Sequence, residues 1–217
     1  MTINSFRNHA TKILHPLALI LEKRRITANN LSILSLIFAT LSIPMYYYST
    51  NDHTYLFMAA LFVFLNSFTD ALDGTLARIT KTEGPSGDFL DHIIDRYSDV
   101  FILCAIFFTG YASLKIGLIA VTGVLLTSYL GTQAQAVNAG RHYGGILGRA
   151  DRLVIIILAT IATALYSEKI FYYSILGWSM ILIATTSHIT AIQRIHHIWQ
   201  ALKKESEDIT KLPKPYK

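Results

Sequence analysis

Long apolar runs alternate with short polar stretches along the chain from residue 30 to residue 198. Six of these runs come close to or exceed the roughly 20 residues that an α-helix needs to cross a bilayer. They cover residues 30–48, 54–79, 88–109, 113–138, 150–167 and 170–198. The pattern therefore predicts an all-α, polytopic membrane protein with six transmembrane helices.

The segments on either side of this bundle have a different pattern. Residues 3–22 mix apolar and basic positions and are too polar to cross a membrane. They are typical of an amphipathic helix that lies on the membrane surface, with a kink or a restart at Pro16. Residues 203–217 are polar and basic with two prolines, which favours a disordered tail. We expect one membrane domain over residues 1–217, with the six-helix bundle at 30–198.

Charge and composition support this interpretation. The chain of 217 residues is 52% hydrophobic, and its mean hydropathy is +0.40. Basic residues collect at alternate ends of the spans, whereas the opposite loops carry only Lys115 and Lys169. The positive-inside rule therefore places both termini in the cytoplasm, with the protein integral to the cell membrane. We attribute the net charge of +5 to attraction for anionic lipid and phosphate, and expect no nucleic-acid partner.

Aspartates interrupt the apolar pattern where the second and third spans meet. Asp70 and Asp73 lie at i and i+3 of the second span, and a short stretch of turn-forming residues follows. Asp88, Asp91 and Asp95 lie at i, i+3 and i+7 of the third span. Two helices joined by this turn would point their carboxylates at each other, at the cytoplasmic end of the bundle.

Carboxylates that share a space of low dielectric constant need cations, so the spacing predicts one or two bound divalent metals. Oxygen ligands favour Mg²⁺, Mn²⁺ or Ca²⁺ over zinc, and pairs of hard cations recur in phosphoryl chemistry. An alternative is that Arg78 and Arg96 pair with the acids only to hold helices together. So many buried charges for structure alone would be costly, which disfavours that alternative. For the deeper Asp99, an ion pair with Arg96 is favoured over a metal role.

The run Asp70-x2-Asp73-Gly74-x2-Ala77-Arg78-x8-Gly87-x3-Asp91-x3-Asp95 resembles, without a gap, the signature of the CDP-alcohol phosphotransferases. The resemblance implies that Asp70, Asp73 and Asp91 bind metals that hold the CDP pyrophosphate. It implies that Asp95 is the catalytic base and a further metal ligand, with two Mg²⁺ or Mn²⁺ ions and a homodimeric enzyme. The residues assigned to the CDP-lipid on the same ground are Gly74, Ala77, Arg78 and Gly87.

A second stretch adds to the nucleotide site. The family commonly carries Thr-Pro-Asn/Asp-x-x-Thr/Ser before the first span, and Ala28 stands here where proline is usual. The resemblance assigns Asn29 and Ser32 to CDP-lipid binding. From the residues alone, Asn29 or Asn30 is the expected N-cap of the first span.

The acceptor site is predicted from the second half of the chain. The runs that begin at Gly148 and Gln193 look like those of the phosphatidylinositol-phosphate and archaetidylinositol-phosphate synthases within the family. In those enzymes the arginines that match Arg152 and Arg194 help to form a pocket for the acceptor's phosphate. The stretch Gly131–Gln135 departs from them, because it lacks their lysine, arginine and glutamate.

Other polar residues nearby are candidates for the same site. Arg141 and Arg149 lie among glycines in the loop before the fifth span, which suits an anionic ligand. Anchoring of that loop on the cytoplasmic side is the alternative explanation for its arginines. The amide of Gln133 either binds acceptor hydroxyls or bridges helices.

We therefore expect a phospholipid-synthesising enzyme. It would transfer the phosphatidyl-type group of CDP-diacylglycerol or CDP-archaeol to a phosphorylated polyol, such as glycerol phosphate or inositol phosphate, and release CMP. An unphosphorylated acceptor such as serine or inositol is one alternative. An ion-coupled transporter is another, since acids inside a membrane also line ion paths. The polar residues gather at one end rather than at the bilayer midplane, which favours the enzyme.

Overall fold

The computed structural model describes the backbone of residues 7–140 and 145–211 and the side chains of residues 13–140 and 145–204. Seven helices follow one another in this part of the chain. They are α1 (Arg7–Lys23), α2 (Ala28–Tyr48), α3 (Tyr55–Thr80), α4 (Pro85–Phe108), α5 (Leu114–Ala136), α6 (Arg149–Leu165) and α7 (Ile175–Lys211). No strand occurs in the described ranges, where one isolated bridge joins Ile170 to Tyr173. The all-α prediction is confirmed.

Local sequence explains the boundaries near the aspartates. Helix α3 ends at Thr80 and is capped by Lys81, which takes a left-handed φ of 54°. Helix α4 starts at Pro85, directly after the extended Gly84. Proline suits the first turn of a helix because its missing N–H has no partner there. The N-cap of α2 is Thr27, whose hydroxyl accepts from the backbone N–H of Asn30 at 3.3 Å. The expectation that Asn29 or Asn30 caps this helix is therefore wrong.

The two ends of the chain also differ from expectation. Helix α1 is one element that continues through Pro16, so the helix does not restart there. Helix α7 extends to Lys211, whereas a disordered tail was expected from residue 203. Between Gly177 and Pro213 the chain has neither glycine nor proline, and its last turns are rich in alanine, leucine, lysine and glutamate. These residues favour helix enough to carry α7 beyond its apolar part.

The faces of α3 show how the bundle meets its surroundings. Its inner face carries Leu56, Ala59, Ala60 and Val63, which are at most 3% exposed. Its outer face carries Phe57, Leu61 and Phe64, which are 43–49% exposed. An apolar outer surface matches lipid chains, and small residues inside let neighbouring helices approach closely.

Two clusters of buried side chains hold the helices together. The larger cluster draws on α2 to α7 and includes the fully buried Tyr46, whose hydroxyl lies 2.8 Å from Thr160 Oγ1 on α6. The smaller cluster packs α1 against α2 and α3. Its buried members are Leu14, Ala18, Leu31, Leu72 and Leu76. The second cluster fixes α1 beside the ends of α2 and α3 that carry the polar residues.

Four helices are long and apolar enough to cross a membrane. They are Ala28–Tyr48, Tyr55–Thr80, Leu114–Ala136 and the Ile175–Lys204 part of α7. Helix α6 has only 17 residues, and α4 carries several charges in its first four turns. The structure thus has seven helices and four candidate spans, which fits a membrane protein but leaves the count of six spans a prediction.

Close packing at Gly177 generates a test of the fold. A Cβ atom added there would lie 2.3 Å from the Tyr111 carbonyl oxygen and 2.9 Å from Tyr173 Cβ. We expect Gly177→Ala to lower the free energy of unfolding by about 1–3 kcal/mol, partly offset by up to about 1 kcal/mol of helix propensity. Thermal unfolding of the detergent-solubilised protein measures the change.

The matched control is Gly84→Ala, since an added Cβ there meets nothing within 4 Å. Gly84 has an extended backbone that any residue can adopt. The melting temperature of the Gly84→Ala protein should therefore stay close to that of the parent. Equal melting temperatures for the two variants would show that α7 does not pack against the Tyr111 carbonyl closely enough to exclude a methyl group at Gly177.

Candidate active site

The turn between α3 and α4 brings three aspartates together. One carboxylate oxygen from each of Asp70, Asp91 and Asp95 lies within 4.8 Å of the other two. Asp70 comes from α3, and the other two lie one turn apart on α4. The helical spacing of the sequence predicted this convergence.

Asp73 lies one turn from Asp70 but has a different partner. Its side chain is 5% exposed, and Asp73 Oδ2 accepts a hydrogen bond of 2.6 Å from the Ser32 hydroxyl on α2. It is not a member of the group formed by Asp70, Asp91 and Asp95. Asp88 stays more exposed, with His92 Nδ1 at 3.8 Å.

A guanidinium group from α6 lies among these carboxylates. Arg149 Nη1 is 2.7 Å from Asp70 Oδ2 and 2.8 Å from Asp95 Oδ1, and Arg149 Nε donates to Asp99 Oδ1 at 3.4 Å. The sequence placed Arg149 on the acceptor side, whereas the structure makes it the counter-ion of three aspartates. Local periodicity does not reveal the contact because Asp70 and Arg149 are 79 positions apart.

Asp99 and Arg96 also pair differently from expectation. Asp99 is 5% exposed and receives Arg152 Nη2 at 3.1 Å as well as Arg149. Arg96 turns instead to Asp95 Oδ2, at 3.3 Å, and to the Ser128 hydroxyl on α5. The predicted Asp99–Arg96 pair is therefore wrong. Asp99 pairs with arginines of α6, and Arg96 contacts its chain neighbour Asp95 and a serine of α5.

The charges and donor atoms of this end fit a divalent metal. Five carboxylates gather here (Asp70, Asp73, Asp91, Asp95 and Asp99), and their ion pairs with Arg96, Arg149 and Arg152 involve three of them, Asp70, Asp95 and Asp99. Within the described residues, the buried Asp95 Oδ1 accepts no hydrogen bond, although Arg149 Nη1 lies near it. Clustered carboxylate oxygens are hard ligands of the kind that Mg²⁺ and Mn²⁺ prefer.

A pocket of about 710 Å³ opens beside the acids, between the start of α2 and the α3–α4 turn. Asp73 and Asp91 belong to its wall, so the pocket and the acid group share a boundary. All six residues predicted to bind the CDP-lipid line it. They are Asn29, Ser32, Gly74, Ala77, Arg78 and Gly87.

The glycines of the pocket are not required by protein packing. A Cβ added at Gly74 would lie 3.7 Å from Arg78 Nη1, and one added at Gly87 would lie 3.7 Å from Asn29 Oδ1. Both are ordinary contact distances, so alanine would fit against the protein itself. The space that these glycines leave open is on the pocket side, which suits a closely approaching ligand.

The end of α1 adds residues that the sequence did not single out. Glu22 and Arg25 line the same pocket, and Arg25 has a left-handed φ of 58°. In the sequence, the only indication of this role was their position just before the stretch with Asn29 and Ser32. Packing of α1 on α3 brings them to the pocket, and no local pattern encodes this packing.

The predicted acceptor residues that the structure describes do not line this pocket. Arg152 is 6% exposed, and Arg194 Nη1 on α7 donates to the Thr127 carbonyl at 2.6 Å. A Cβ added at Gly131 would approach this nitrogen to 3.0 Å. Gln133 is half-buried in the last turns of α5, and Arg141 lies outside the described residues.

A group of acids suited to divalent cations beside a polar pocket, in a bundle with an apolar outside, fits a membrane enzyme that acts on phosphate-linked groups. The chain belongs to the CDP-alcohol phosphatidyltransferase family, whose model matches residues 25–192. It is an enzyme of phospholipid biosynthesis that uses a CDP-linked substrate and releases CMP. The predicted family and enzyme class are confirmed, which decides against a transporter.

Relatives with known names support the assignment. The archaetidylinositol phosphate synthase of Pyrococcus horikoshii is 32% identical over 178 residues, which cover 82% of this chain and 86% of the relative. The phosphatidylinositol phosphate synthase of Mycobacterium tuberculosis with CDP-DAG bound is 26% identical, with a TM-score of 0.69 over 87% of this chain and 94% of that one. The same enzyme in complex with manganese and citrate gives a TM-score of 0.68, covering 86% and 88%.

The Ser32–Asp73 hydrogen bond generates the second prediction. Removing a hydrogen bond that orients a metal ligand typically costs about 10–100-fold in metal affinity or activity. We expect Ser32→Ala to raise the Mg²⁺ concentration needed for half-maximal CMP release by about tenfold. Binding of Mn²⁺, followed by electron paramagnetic resonance, measures the affinity independently of turnover.

Ser42→Ala is the control on the same helix, since Ser42 is also buried but its hydroxyl donates to the Ala39 carbonyl within α2. It should leave the metal dependence unchanged. If both variants bind Mn²⁺ as the parent does, Asp73 is not a ligand that Ser32 orients.

Proposed function

We propose that this enzyme transfers the phosphatidyl-type group of a CDP-linked lipid to a phosphorylated polyol. The observation that carries the proposal is that Asp91 belongs both to the acid group and to the wall of the large pocket. A CDP group in that pocket would place its pyrophosphate at the acids. The relatives named above add support, since one is an archaetidylinositol phosphate synthase and another a phosphatidylinositol phosphate synthase with CDP-DAG bound.

In this proposal the pocket holds the nucleotide. Asn29, Ser32 and Arg78 offer polar groups, while Gly74 and Gly87 leave room for the cytidine. Asp70, Asp73, Asp91 and Asp95 would hold two Mg²⁺ or Mn²⁺ ions, which neutralise the pyrophosphate and the departing CMP. The chain itself positions the lipid's phosphate in front of Asp95.

Asp95 is the proposed base. It takes the proton of the acceptor hydroxyl as the oxygen forms its bond to the lipid's phosphorus and the bond to CMP breaks. Arg149 contacts Asp95 Oδ1 and Arg96 contacts Oδ2, so both carboxylate oxygens are held in place. We propose that Arg149 positions these carboxylates, a role that differs from the predicted contact with the acceptor.

The acceptor is proposed to be a phosphorylated polyol, such as inositol phosphate or glycerol phosphate. Arg194 lies close enough to Arg152 and Arg96 for their charges to act on it. Asp99 contacts Arg152, and Arg194 donates to the Thr127 carbonyl, so both arginines have a fixed position at this end of the bundle. A cluster of guanidinium groups beyond Asp95 suits an acceptor that carries its own phosphate.

The membrane arrangement extends this proposal. Helices α4 and α6 would cross the membrane together with the four apolar helices, so that residues 30–198 form a six-helix bundle within one domain. Both termini and the acids would face the cytoplasm, as the basic residues indicate. The homodimer implied by the family resemblance stays a prediction, which sedimentation of the detergent complex can test.

The decisive experiment supplies the purified enzyme with Mg²⁺, a CDP-linked lipid and a series of acceptors, and measures CMP release. CDP-diacylglycerol and CDP-archaeol are compared as donors. Inositol phosphate and glycerol phosphate are compared with free inositol, glycerol and serine as acceptors. If turnover with serine matches or exceeds turnover with the phosphorylated polyols, the proposed acceptor class is wrong.

Substitution of the proposed base gives the third prediction. Asp95→Asn should reduce turnover by at least about 100-fold, the usual contribution of general-base catalysis, while the protein stays folded. Asp52→Asn is the control, because Asp52 lies in the turn between α2 and α3 at the remote end of the bundle. Turnover within a few-fold of the parent, in a folded Asp95→Asn protein, would remove Asp95 from this role.

The fourth prediction concerns the acceptor. A hydrogen bond to a charged group contributes about 1.5–3 kcal/mol, so Arg194→Gln should raise the KM for the phosphorylated acceptor about tenfold or more. The KM for the CDP-linked lipid should stay nearly constant. Arg24→Gln removes an equal charge from an exposed position outside the pocket and should change neither constant. The reverse pattern for Arg194→Gln would assign that residue to the nucleotide.

A further inference from the structure

A second polar cavity, of about 580 Å³, lies at the turns that join α2 to α3, α4 to α5 and α6 to α7. The aspartates lie toward the other end of the bundle. From Tyr55 to Asp73 helix α3 rises about 27 Å, at 1.5 Å per residue. The cavity is therefore separate from the proposed site of phosphoryl transfer.

Hydroxyl groups dominate the wall of this cavity, and three of them accept hydrogen bonds from backbone N–H groups. The pairs are Thr163 Oγ1 with Leu176 N at 2.9 Å, Ser174 Oγ with Gly177 N at 3.2 Å, and Ser113 Oγ with Ile116 N at 3.3 Å. Thr163 is 1% exposed and Ser174 is 7% exposed. Within the described side chains, neither hydroxyl donates its own hydrogen to an acceptor.

Buried donors without an acceptor are costly, so these hydroxyls favour a ligand that brings acceptor oxygens. Lys169 adds a positive charge at the wall, and His53 adds an imidazole. No carboxylate lines the cavity within the described part of the chain. The nearby Asp52 is turned to the backbone N–H of Thr54, at 2.9 Å. The hydroxyl donors and the lysine at the wall together favour an anionic ligand.

The loop between α6 and α7, beside the cavity, indicates the source of this anion. Phe171 is 86% exposed and Tyr172 is 83% exposed, and Tyr172 is part of the cavity wall. Exposed aromatic side chains at the ends of membrane helices are typical of the layer of lipid head groups. We propose that the cavity binds the phosphate of an anionic lipid head group, with Lys169 as its cationic contact and Thr163 and Ser174 as buried donors.

The test follows the melting temperature of the full-length enzyme in mild detergent as dioleoylphosphatidylglycerol is added. Dioleoylglycerol serves as the matched lipid without phosphate, and inorganic phosphate as the soluble source. The variants are Lys169→Gln and, as a control, Lys115→Gln, which removes a lysine in the first turn of α5 outside the cavity. The Arg194→Gln protein is included because its titration would change if the lipid bound at the catalytic end and not in this cavity.

We expect phosphatidylglycerol, but not dioleoylglycerol, to stabilise the parent, Lys115→Gln and Arg194→Gln proteins alike. Lys169→Gln should need about tenfold more phosphatidylglycerol for the same shift, the usual effect of losing one charge-assisted contact. Its rate of CMP release should match that of the parent, because Lys169 is remote from the aspartates. Native mass spectrometry should show correspondingly less retained phosphatidylglycerol on Lys169→Gln than on Lys115→Gln.

Other outcomes decide against all or part of the proposal. A shift that depends on Lys169 with inorganic phosphate, but not with phosphatidylglycerol, would keep the phosphate site and reject the lipid as its source. Identical titrations of Lys169→Gln and Lys115→Gln would overturn the site. A shift that disappears in Arg194→Gln and persists in Lys169→Gln would place the lipid at the catalytic end and overturn it equally.

Discussion

The structure depends on how a bundle with an apolar outside keeps an excess of carboxylates at one end. At 4.8 Å and an effective dielectric constant of about 20, each pair among Asp70, Asp91 and Asp95 repels by about 3–4 kcal/mol. Arg149 lies 2.7 and 2.8 Å from two of them and attracts each by about 6 kcal/mol. Arg96 lies 3.3 Å from Asp95 Oδ2 and adds about 5 kcal/mol of attraction, so the arginines offset the mutual repulsion of the acids. Burying all these charged groups has a further cost, which divalent cations bound to the carboxylates would offset.

This electrostatic constraint fixes the positions of the helices around it. Asp70 and Asp73 are one turn apart on α3, yet Asp70 contacts α6 through Arg149 and Asp73 contacts α2 through Ser32. Asp73 belongs to the wall of the pocket that Ser32 and Gly74 also line, whereas Asp70 pairs with an arginine of α6 that does not line it. The acids thus connect the pocket to the arginines of α6, and in the proposed reaction the donor and the acceptor would meet at these carboxylates.

Local spacing predicted the parts of the site that lie on two consecutive helices. The i, i+3 and i+7 aspartates and the glycines of the turn are encoded within 26 residues. The structure places Asp88, Asp91 and both glycines at the wall of one pocket, and Asp95 in the acid group beside it. The ion pair of Asp99 was predicted wrongly, and the contacts of Arg149 with the acids were not predicted, because these contacts join residues about 50 to 80 positions apart. The cap at Thr27 was missed for another reason: several polar residues in a row can cap α2, and only the backbone geometry selects one.

The stretch Gly131–Gln135 shows why a departure from a motif needs the structure before it is interpreted. In the sequence, its lack of lysine, arginine and glutamate sets this stretch apart from the synthases that the rest of the chain resembles, and it suggested a changed acceptor. In the structure, Gly131 faces Arg194, and even a methyl group there would approach Arg194 Nη1 to 3.0 Å. A shift of a few tenths of an ångström at the flexible end of Arg194 would accommodate that methyl group. Gly131 thus leaves room for the Arg194 guanidinium at the Thr127 carbonyl, so the departure from the motif lies beside one of the predicted acceptor residues.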